Sequence, residues 1–342
     1  MRYSFPVVTG VMLPLLLAGP ALAGITRVGT TAAPFLTIGL GSRALGMGGA
    51  YTGVAMDASC LYWNPGAAAV LEKSEALLVQ TQYLADTDLN FFGLVTPAGE
   101  RSSVGLSMTY LDYGELEVTT VEEPEGTGEF FRSSDLALGL TYSTRFTDRF
   151  SIGFTGKLVQ QKIWHESASS VAFDVGTRFR TDFHNLVLGM GIYNVGMDME
   201  MGGTDLLLGH DLDPNQGGDN PAVPVNLDLY AWPLPITFRM GASMYLIENP
   251  EYSLLVAADA SHPVDNSESI SLGTEYGFKD RFFLRGGWHQ LFLSDQEGGA
   301  TLGAGWNCLF SRRVHCASMA PGKSSDGWVR SSSTVCDSNG NG

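Results

Sequence analysis

The sequence predicts an all-β fold, a transmembrane antiparallel β-barrel that holds a glycine-rich N-terminal segment as a plug. Three observations favour this fold. The chain begins with the pattern of a secretory signal, long runs alternate between apolar and small or polar residues, and only 16% of the residues are charged. Soluble domains usually contain about 25% charged residues. An exported chain without a long apolar helix can still enter a membrane as a barrel.

Residues 1–23 are predicted to be a cleaved signal peptide. Arg2 gives the positive end, residues 7–17 form the apolar core, and residues 21–23 (Ala-Leu-Ala) have the small-residue pattern of a cleavage site. The mature chain is therefore expected to begin near Gly24. An uncleaved membrane anchor is the alternative, but the apolar run is short and ends in Gly and Pro.

Residues 24–73 are expected to form the plug. Residues 34–71 are rich in Gly and Ala, nearly uncharged, and interrupted by glycine too often to be one helix or one strand. Residues 63–66 (Trp-Asn-Pro-Gly) predict a turn, because Asn-Pro favours turn initiation and Pro fixes its own φ. Since nothing downstream is similar, the segment is predicted to fill or cap what the strands enclose.

Residues 74–306 are expected to form the barrel. In one run, Leu136, Leu138, Leu140 and Tyr142 alternate with small or polar residues, and the same period of two recurs along the region. Many runs reach about ten residues, which is enough for a tilted strand to cross a bilayer. About twelve strands are predicted, near residues 75–85, 89–97, 101–113, 134–146, 149–164, 169–181, 184–196, 235–247, 251–262, 268–278, 281–293 and 299–307.

A soluble β-sandwich is the alternative fold, since it shows the same alternation with its apolar face turned to a core. The barrel is favoured because the apolar face is too large for one sandwich core. Short turns also alternate with long connections, at residues 115–134 and 197–233. Aromatic residues collect near strand ends, as they do at membrane interfaces. These residues are Tyr110, Tyr113, Tyr142, Phe146, Phe150, Trp164, Trp288 and Trp306.

Seven charged residues fall on the small and polar face of their predicted strands and are expected to point into the lumen. Opposite charges at this density are expected to pair with one another and with the plug. Selection of a solute is the alternative role for them. Gly and Ala on the same face leave room for the plug. The seven residues are Lys157, Asp174, Arg178, Arg239, Asp259, Glu275 and Arg285.

No catalytic, cofactor or metal site is predicted. The chain lacks G-x-S-x-G, H-E-x-x-H and phosphate-loop patterns, and its four cysteines fit no zinc spacing, although a disulfide can form among them after export. His289 near Arg285 could serve a lipase-like site, but a hydrogen-bonding histidine in the lumen is preferred. The net charge of −16 argues against nucleic acid as a partner. One acidic stretch resembles a calcium loop without the closing Glu, so a solvated loop is preferred; it contains Asp211, Asp213, Asn215 and Asp219.

The stretch from Gly41 to Pro65, GSRALGMGGAYTGVAMDASCLYWNP, resembles the N-terminal signature of the PorV/PorQ family. Residues 234–246 (LPITFRMGASMYL) resemble a strand typical of that family, and residues 193–196 and 271–288 are weaker matches. The resemblance covers roughly residues 31–304. It departs at Gly66-Ala67, where the family usually has Asn-Pro-Ala-Gly. The signature residues are Gly41, Arg43, Gly46, Met47, Gly48, Gly49, Trp63, Asn64 and Pro65.

The resemblance implies a fourteen-stranded barrel in the bacterial outer membrane, related in fold to the FadL fatty-acid channels and in contact with outer-membrane lipid. It implies two functions. In the favoured one, an accessory barrel of type IX secretion works with other secretion-system proteins. It binds exported cargo proteins that carry a C-terminal sorting domain. In the other, a hydrophobic small molecule passes through the lumen along apolar plug residues. Those residues are Phe35, Leu36, Leu40, Leu45, Met47 and Tyr51.

Residues 307–342 are expected to be an atypical tail. Alternation stops at Asn307, and three of the four cysteines lie in this stretch. About one hairpin is therefore expected to be missing, although an open barrel edge would leave backbone groups unsatisfied in lipid. The tail is interpreted either as a segment that is not native sequence, as a frame error would produce, or as a divergent periplasmic tail.

Overall fold

The structure is a computed structural model that describes residues 28–83, 87–210, 223–292, 299–308, 312–319 and 329–337. The predicted signal peptide and the acidic stretch from Asp211 to Asp219 lie outside the described residues. Within the described ranges, no helix is both long enough and apolar enough to cross a membrane.

Strands make up most of the described chain. Fourteen of them have eight residues or more, and three short strands, β8 to β10, lie between β7 and β11. The all-β fold and the expected fourteen long strands are therefore confirmed. In chain order the strands are β1 (Glu75–Gln82), β2 (Asp88–Pro97), β3 (Ser102–Glu117), β4 (Phe130–Arg145), β5 (Phe150–Ile163), β6 (Glu166–Arg180), β7 (Val187–Gly196), β8 (Gly202–Gly203), β9 (Leu207–His210), β10 (Val223–Asn226), β11 (Thr237–Glu248), β12 (Tyr252–Pro263), β13 (Ser269–Phe278), β14 (Phe282–Leu291), β15 (Ala300–Cys308), β16 (Arg312–Met319) and β17 (Val329–Asp337).

The long strands pair with one another in antiparallel register. Consecutive strands pair from β1 to β7, β7 pairs with β11, consecutive strands pair from β11 to β17, and β17 pairs with β1. Each of the fourteen long strands therefore has a paired neighbour on both sides. This pairing satisfies the backbone N–H and C=O groups between strands, as a lipid environment requires.

Burial along the strands shows which face meets lipid. In β4, the side chains of Leu138, Leu140 and Tyr142 are 43%, 63% and 51% exposed, whereas Thr141 and Ser143 are fully buried. A β-sandwich would show the reverse pattern, with apolar residues inside. The apolar face of these strands therefore points outward and the small or polar face points inward, as in a membrane barrel.

The hydrophobic core lies inside the ring of strands and is built mainly by residues 28–73, which we call the plug segment. It contains two short helices, α1 (Ser42–Gly46) and α2 (Cys60–Trp63), and two 3₁₀ turns, Pro34–Thr37 and Pro65–Val70. The second 3₁₀ turn packs against β3 to β6, and α1 packs against β14 to β17. We call the ring of fourteen long strands the wall. The plug segment therefore contacts two separate parts of the wall.

The hairpin of β3 and β4 extends further than the predicted strands 101–113 and 134–146. The register shifts between Asp112 and Glu115, and pairing then resumes between Glu115 and Arg132. A bulge breaks the period of two in one strand while the backbone pairing continues beyond it. The alternation in the sequence therefore ends before the strands do.

Strands β16 and β17 lie in the region expected to be an atypical tail. β16 pairs with β15, and β17 pairs with β16 and with β1. The expectation that a hairpin is missing after residue 306 is therefore wrong. Strand pairing uses backbone groups that nearly every residue carries, so a stretch without apolar alternation can still complete the sheet. The interpretation of residues 307–342 as non-native sequence stays a prediction.

Four of the aromatic residues predicted near strand ends show two different arrangements. Tyr142, Phe146 and Trp306 are 51%, 61% and 55% exposed on the outer face. Tyr113 instead turns inward, where its hydroxyl donates to a carboxylate oxygen of Asp135 at 2.8 Å. Tyr113 is therefore not part of an outer aromatic girdle, because its polar tip has a buried partner inside.

Candidate functional site: the contact between plug and wall

Arg43, the charged residue of the signature, reaches the wall through Glu275 on β13. Its Nε and Nη2 donate to Oε2 and Oε1 of Glu275 at 2.9 and 2.7 Å. Arg285 on β14 donates from Nε to Oε2 of the same carboxylate at 2.5 Å. Only 4% of Glu275 and of Arg285 is exposed. Such charge-assisted, bidentate contacts are among the strongest hydrogen bonds in proteins, so this cluster fixes α1 against the wall.

A second wall carboxylate, Asp259 on β12, binds the backbone of the plug segment. Its Oδ2 accepts hydrogen bonds from the N–H groups of Tyr51 and Thr52 at 3.0 and 2.7 Å. Tyr51 also donates from its hydroxyl to Asp57 at 3.3 Å, and Asp57 accepts from the N–H of Ser59 at 2.9 Å. The loop between α1 and α2 is thus held from the wall and from within.

The predicted turn at residues 63–66 is organised by Asn64. Its Oδ1 accepts from the N–H of Gly66 at 3.1 Å, which caps the 3₁₀ turn that begins at Pro65. Its Nδ2 donates to the carbonyl oxygens of Thr52 in the plug and Thr177 in the wall, each at 3.0 Å. One side chain therefore shapes the turn and joins two parts of the plug to β6.

Glycines let the plug backbone approach the wall backbone closely. A Cβ atom at Gly66 would lie 2.6 Å from the carbonyl oxygen of Gly176 on β6, and a Cβ at Gly273 on β13 would lie 2.4 Å from the carbonyl oxygen of Met47. Contacts this short do not occur for real Cβ atoms, so only glycine fits without a shift of the backbone. The order Gly66-Ala67 therefore puts a residue without a Cβ where the plug backbone closely approaches β6.

The signature glycines serve the backbone conformation around α1. Gly41, Gly48 and Gly49 have φ of 86°, 67° and 76°, the left-handed region that favours glycine. The carbonyl oxygen of Gly46 accepts from the hydroxyl of Thr301 on β15 at 3.2 Å. The signature therefore specifies a tight path for the chain together with its contacts to the wall.

Arg239 on β11 lies among three aromatic rings. Its Cζ atom is 5.5, 5.2 and 5.1 Å from the ring centroids of Tyr62, Trp63 and Tyr193. The hydroxyl of Tyr193 donates to the carbonyl oxygen of Trp63 at 2.6 Å. Among the described residues, Arg239 takes part in none of the salt bridges. Cation–π contacts with two plug rings and one wall ring hold it instead.

The remaining predicted lumen charges lie on β5 and β6. Lys157 forms a salt bridge with Asp174 at 2.9 Å, and the backbone N–H of Asn194 donates to Asp174 at 2.8 Å. Arg178 lies 3.8 Å from the sulfur of Met56, and its Nε has no hydrogen-bond partner among the described residues. Of the seven predicted lumen charges, four thus form two salt bridges with each other, and the other three contact the plug segment.

Hydroxyl groups of the wall also bind the plug, and the sequence interpretation missed them. Each donates to a plug carbonyl oxygen. The sequence signal for them was their position on the small and polar face of a strand. That position does not distinguish a hydroxyl that binds the plug from a small residue that only occupies space. The contacts are Ser143 and Ser151 to Gly66 at 3.3 and 2.6 Å, Ser243 to Gly53 at 2.9 Å, and Thr301 to Gly46.

The residues with potential reactivity are held in structural contacts. The Nδ1 of His289 donates to the carbonyl oxygen of Gly48 at 3.0 Å. Cys60 is a buried free cysteine, and burial raises the pKa of its thiol, which keeps it protonated and unreactive. Across the part of the chain that the structure describes, no group of His, Cys, Asp or Glu is arranged to hold a metal ion.

A cavity of about 30 Å³ lies between the plug segment and the wall. Leu36, Leu61 and Phe91 line its apolar side, and Lys157 and Arg239 lie on its polar side. This volume holds about one water molecule, whereas small-molecule sites usually measure several hundred Å³. All six plug residues that were expected to line a transport path are buried, and Leu36 is the one that lines this cavity.

Comparisons with known proteins place this geometry in a family. The profile described as "Type IX secretion system protein PorV" matches residues 23–230. A search of curated proteins gives no match. Among solved structures, a Pseudomonas aeruginosa FadL homologue has a TM-score of 0.54 at 15% identity, over 88% of this chain and 99% of that one.

Two further solved structures have the same fold. The CymD monoaromatic hydrocarbon channel has a TM-score of 0.61 at 13% identity, over 88% of this chain and 98% of that one. The Pseudomonas putida toluene transporter TodX has a TM-score of 0.52 at 13% identity, over 86% and 95%. These structural similarities show the FadL-like fold, and the PorV profile covers more than half of the sequence, including the whole plug segment and β1 to β7. The chain therefore belongs to the PorV family of outer-membrane barrels associated with type IX secretion.

Proposed function

We propose that this protein is an accessory barrel of type IX secretion that binds exported proteins carrying a C-terminal sorting domain and passes them to the surface-attachment machinery. The observation that carries the proposal is the filled interior. The plug segment is held by Glu275 and Asp259 and packs backbone to backbone against wall glycines. Cargo would therefore bind outside the interior, by docking at the loops and without reaction chemistry.

One end of the barrel is suited to such docking. Its connections at residues 118–129 and 197–236 are long, whereas the opposite end has short connections at 98–101, 146–149 and 279–281. We call the first the long-loop end. In outer-membrane barrels the longer loops face the outside of the cell, where exported proteins arrive. We therefore assign cargo docking to the long-loop end.

A channel for hydrophobic small molecules is the second candidate. The cavity beside Arg239 supports it, because Leu36, Leu61 and Phe91 provide an apolar side next to a polar one. The solved structures with this fold include a toluene transporter and a monoaromatic hydrocarbon channel. A volume of about 30 Å³ is too small for such molecules, so their entry into this cavity requires displacement of the plug.

The two functions are separated by one experiment. The tagged barrel is purified from detergent-solubilised outer membranes, and bound proteins and bound lipids are identified by mass spectrometry. A tagged, unrelated barrel from the same membranes is the control. Exported proteins that share a C-terminal domain, enriched over the control, are expected. Hydrophobic molecules without any protein partner would overturn the secretion role and favour the channel.

We also propose that residues 1–23 are removed during export and that residues 24–73 act as the plug of the mature protein. The low charge and short apolar run of the first residues support cleavage. N-terminal sequencing of the protein purified from outer membranes is expected to start near Gly24. A chain that still starts at Met1 would refute the cleavage.

A further inference from the structure

We propose that β9, β10 and residues 227–232 form a docking surface for a basic, extended segment of the exported protein. This inference rests on the proposed secretion function and names the surface at which it takes place. We call these residues the ribbon surface. It belongs to the connection between β7 and β11 at the long-loop end.

Among the described residues, the backbone of the ribbon surface has one strand edge that pairs with no other strand. β9 and β10 form a two-stranded sheet of their own. The N–H of Leu227 donates to the carbonyl oxygen of Leu206 at 2.9 Å, and the register pairs Gly209 with Pro224. Because hydrogen-bonded and non-hydrogen-bonded pairs alternate in antiparallel strands, Gly209 and Pro224 direct their backbone groups away from each other.

The two outer edges of the ribbon therefore differ. Pro224 has no N–H and blunts the outer edge of β10. Gly209 presents both an N–H and a C=O on the outer edge of β9, all four residues of which are exposed. In the described chain, β9 pairs with no strand other than β10. An extended segment can add to such an edge by main-chain hydrogen bonds.

Exposed apolar side chains lie on β9 and on residues 227–232, which follow β10. Tyr230, Leu207, Leu208 and Trp232 are 80%, 55%, 48% and 44% exposed. The rings of Tyr230 and Trp232 lie 5.6 Å apart, and the backbone of Trp232 is fixed by two hydrogen bonds of 2.8 Å to Met199. Aromatic residues on an ordered backbone are typical binding hot spots, and exposed apolar patches mark interaction sites.

The charge around the ribbon surface selects the partner. Residues 181–238 contain no Lys and no Arg. Asp198, Glu200, Asp205 and Asp228 are all exposed. Complementary charge favours a partner segment rich in Lys or Arg. The same charge disfavours burial of this surface in a membrane interface, because anionic lipid headgroups attract basic segments.

The test uses the full-length barrel and compares two substitutions with two matched controls. Gly209→Pro removes the N–H that Gly209 presents on the outer edge of β9, and Tyr230→Ala removes the most exposed aromatic ring of the ribbon surface. Asn226→Pro removes an outward N–H from the outer edge of β10. This edge is already poorly suited to pairing with an added strand, because Pro224 has no N–H. Phe183→Ala removes an aromatic side chain that is 67% exposed at the opposite end of the barrel. Heat-modifiable migration in gel electrophoresis selects folded preparations of each variant.

The measured quantity is the amount of exported protein with the shared C-terminal domain that each folded barrel captures. Gly209→Pro and Tyr230→Ala are each expected to lower capture about tenfold, as loss of a hot spot does, and both controls are expected to keep the wild-type level. Capture is also expected to fall as salt is raised. A photo-crosslinker placed at Leu208 is expected to label a Lys- or Arg-rich strand of the captured protein.

The outcomes separate this inference from the function on which it rests. If the wild type captures no protein with the shared domain, the secretion function fails and the inference fails with it. If the wild type and all four folded variants capture equally, the ribbon surface is overturned while the secretion function stands. Crosslinks to lipid alone, with unchanged capture, would assign the surface to the membrane and overturn the inference.

Discussion

Replacing Glu275 by Ala is expected to release the plug segment from the wall. The carboxylate accepts two hydrogen bonds from Arg43, at 2.9 and 2.7 Å, and one from Arg285, at 2.5 Å. The substitution leaves two guanidinium groups without this shared counterion. Asp57 remains as a weak partner, with its Oδ2 3.9 Å from Nη1 of Arg43. The variant therefore removes the charge that joins α1 to β13 and β14.

The expected loss of stability follows from the burial of Glu275 and its two arginine partners. Removing one partner of a buried ion pair costs about 3–5 kcal/mol, because the other charge stays desolvated. The side chain of Arg285 is 1% exposed and that of Arg43 is 18% exposed. After the substitution, water can therefore solvate part of the Arg43 charge but not the Arg285 charge. We expect Glu275→Ala to lower the free energy of unfolding by about 3–5 kcal/mol. Glu275→Gln, which keeps a neutral acceptor, is expected to cost about 2–3 kcal/mol.

The matched control is Glu115→Ala. Glu115 and Arg132 form an ion pair of the same length, 2.7 Å, but their side chains are 56% and 72% exposed. Exposed pairs contribute about 0–1 kcal/mol because water and salt screen them. The difference between the two variants therefore measures the effect of burial on the same kind of contact.

Two assays measure the stability of each variant and the release of its plug segment. Guanidinium denaturation of the solubilised barrel, followed by tryptophan fluorescence, gives the change in unfolding free energy from the midpoint and slope. Trypsin cleavage after Arg43 reports release of the plug segment, and it is expected to be slow in the wild type and fast in Glu275→Ala. The reasoning would be refuted if Glu275→Ala kept the wild-type midpoint and cleavage rate, or if Glu115→Ala cost as much.

Three further predictions test the contact between plug and wall. Gly66→Ala places a Cβ 2.6 Å from the carbonyl oxygen of Gly176 and is expected to cost about 1–3 kcal/mol in denaturation, whereas Gly286→Ala, with no atom within 4 Å of the new Cβ, is expected to be neutral. Equal midpoints for the two alanine variants would contradict this. Asn64→Ala loses a cap and two hydrogen bonds, so a midpoint shift equivalent to about 1–3 kcal/mol is expected, and an unshifted midpoint would count against its role. Asp259→Asn weakens two charge-assisted bonds and is expected to speed hydrogen exchange of the two plug amides it binds, a change that unaltered exchange would rule out.

The strands and their inward and outward faces were predictable from the sequence. All twelve predicted strands overlap observed ones. The period of two is a local property of extended chain, because successive side chains point to opposite faces. The predicted export signal then favoured a membrane barrel over a soluble sandwich, and in a barrel the apolar face meets lipid. The extension of β3 and β4 past the bulge at Asp112 was not predictable, because pairing continued where the alternation was lost.

The partners of the site residues depended on the three-dimensional fold. Arg43 and Glu275 lie 232 positions apart in the chain, and Thr52 and Asp259 lie 207 apart. The sequence indicated that such charges face the interior. It carried no information on which of them meet, because that is set by the register of the strands and the path of the plug between two arcs of the wall.

The last hairpin and the ribbon surface also could not be predicted from the sequence alone. β16 and β17 have no apolar alternation, and β17 is a strand because β1 offers it a free edge. The Gly209 edge on β9 likewise exists only once the register with β10 sets which backbone groups point outward. Alternation and turn chemistry are fixed by residues close together in the chain. Backbone pairing, plug contacts and free edges arise from residues that only folding brings together.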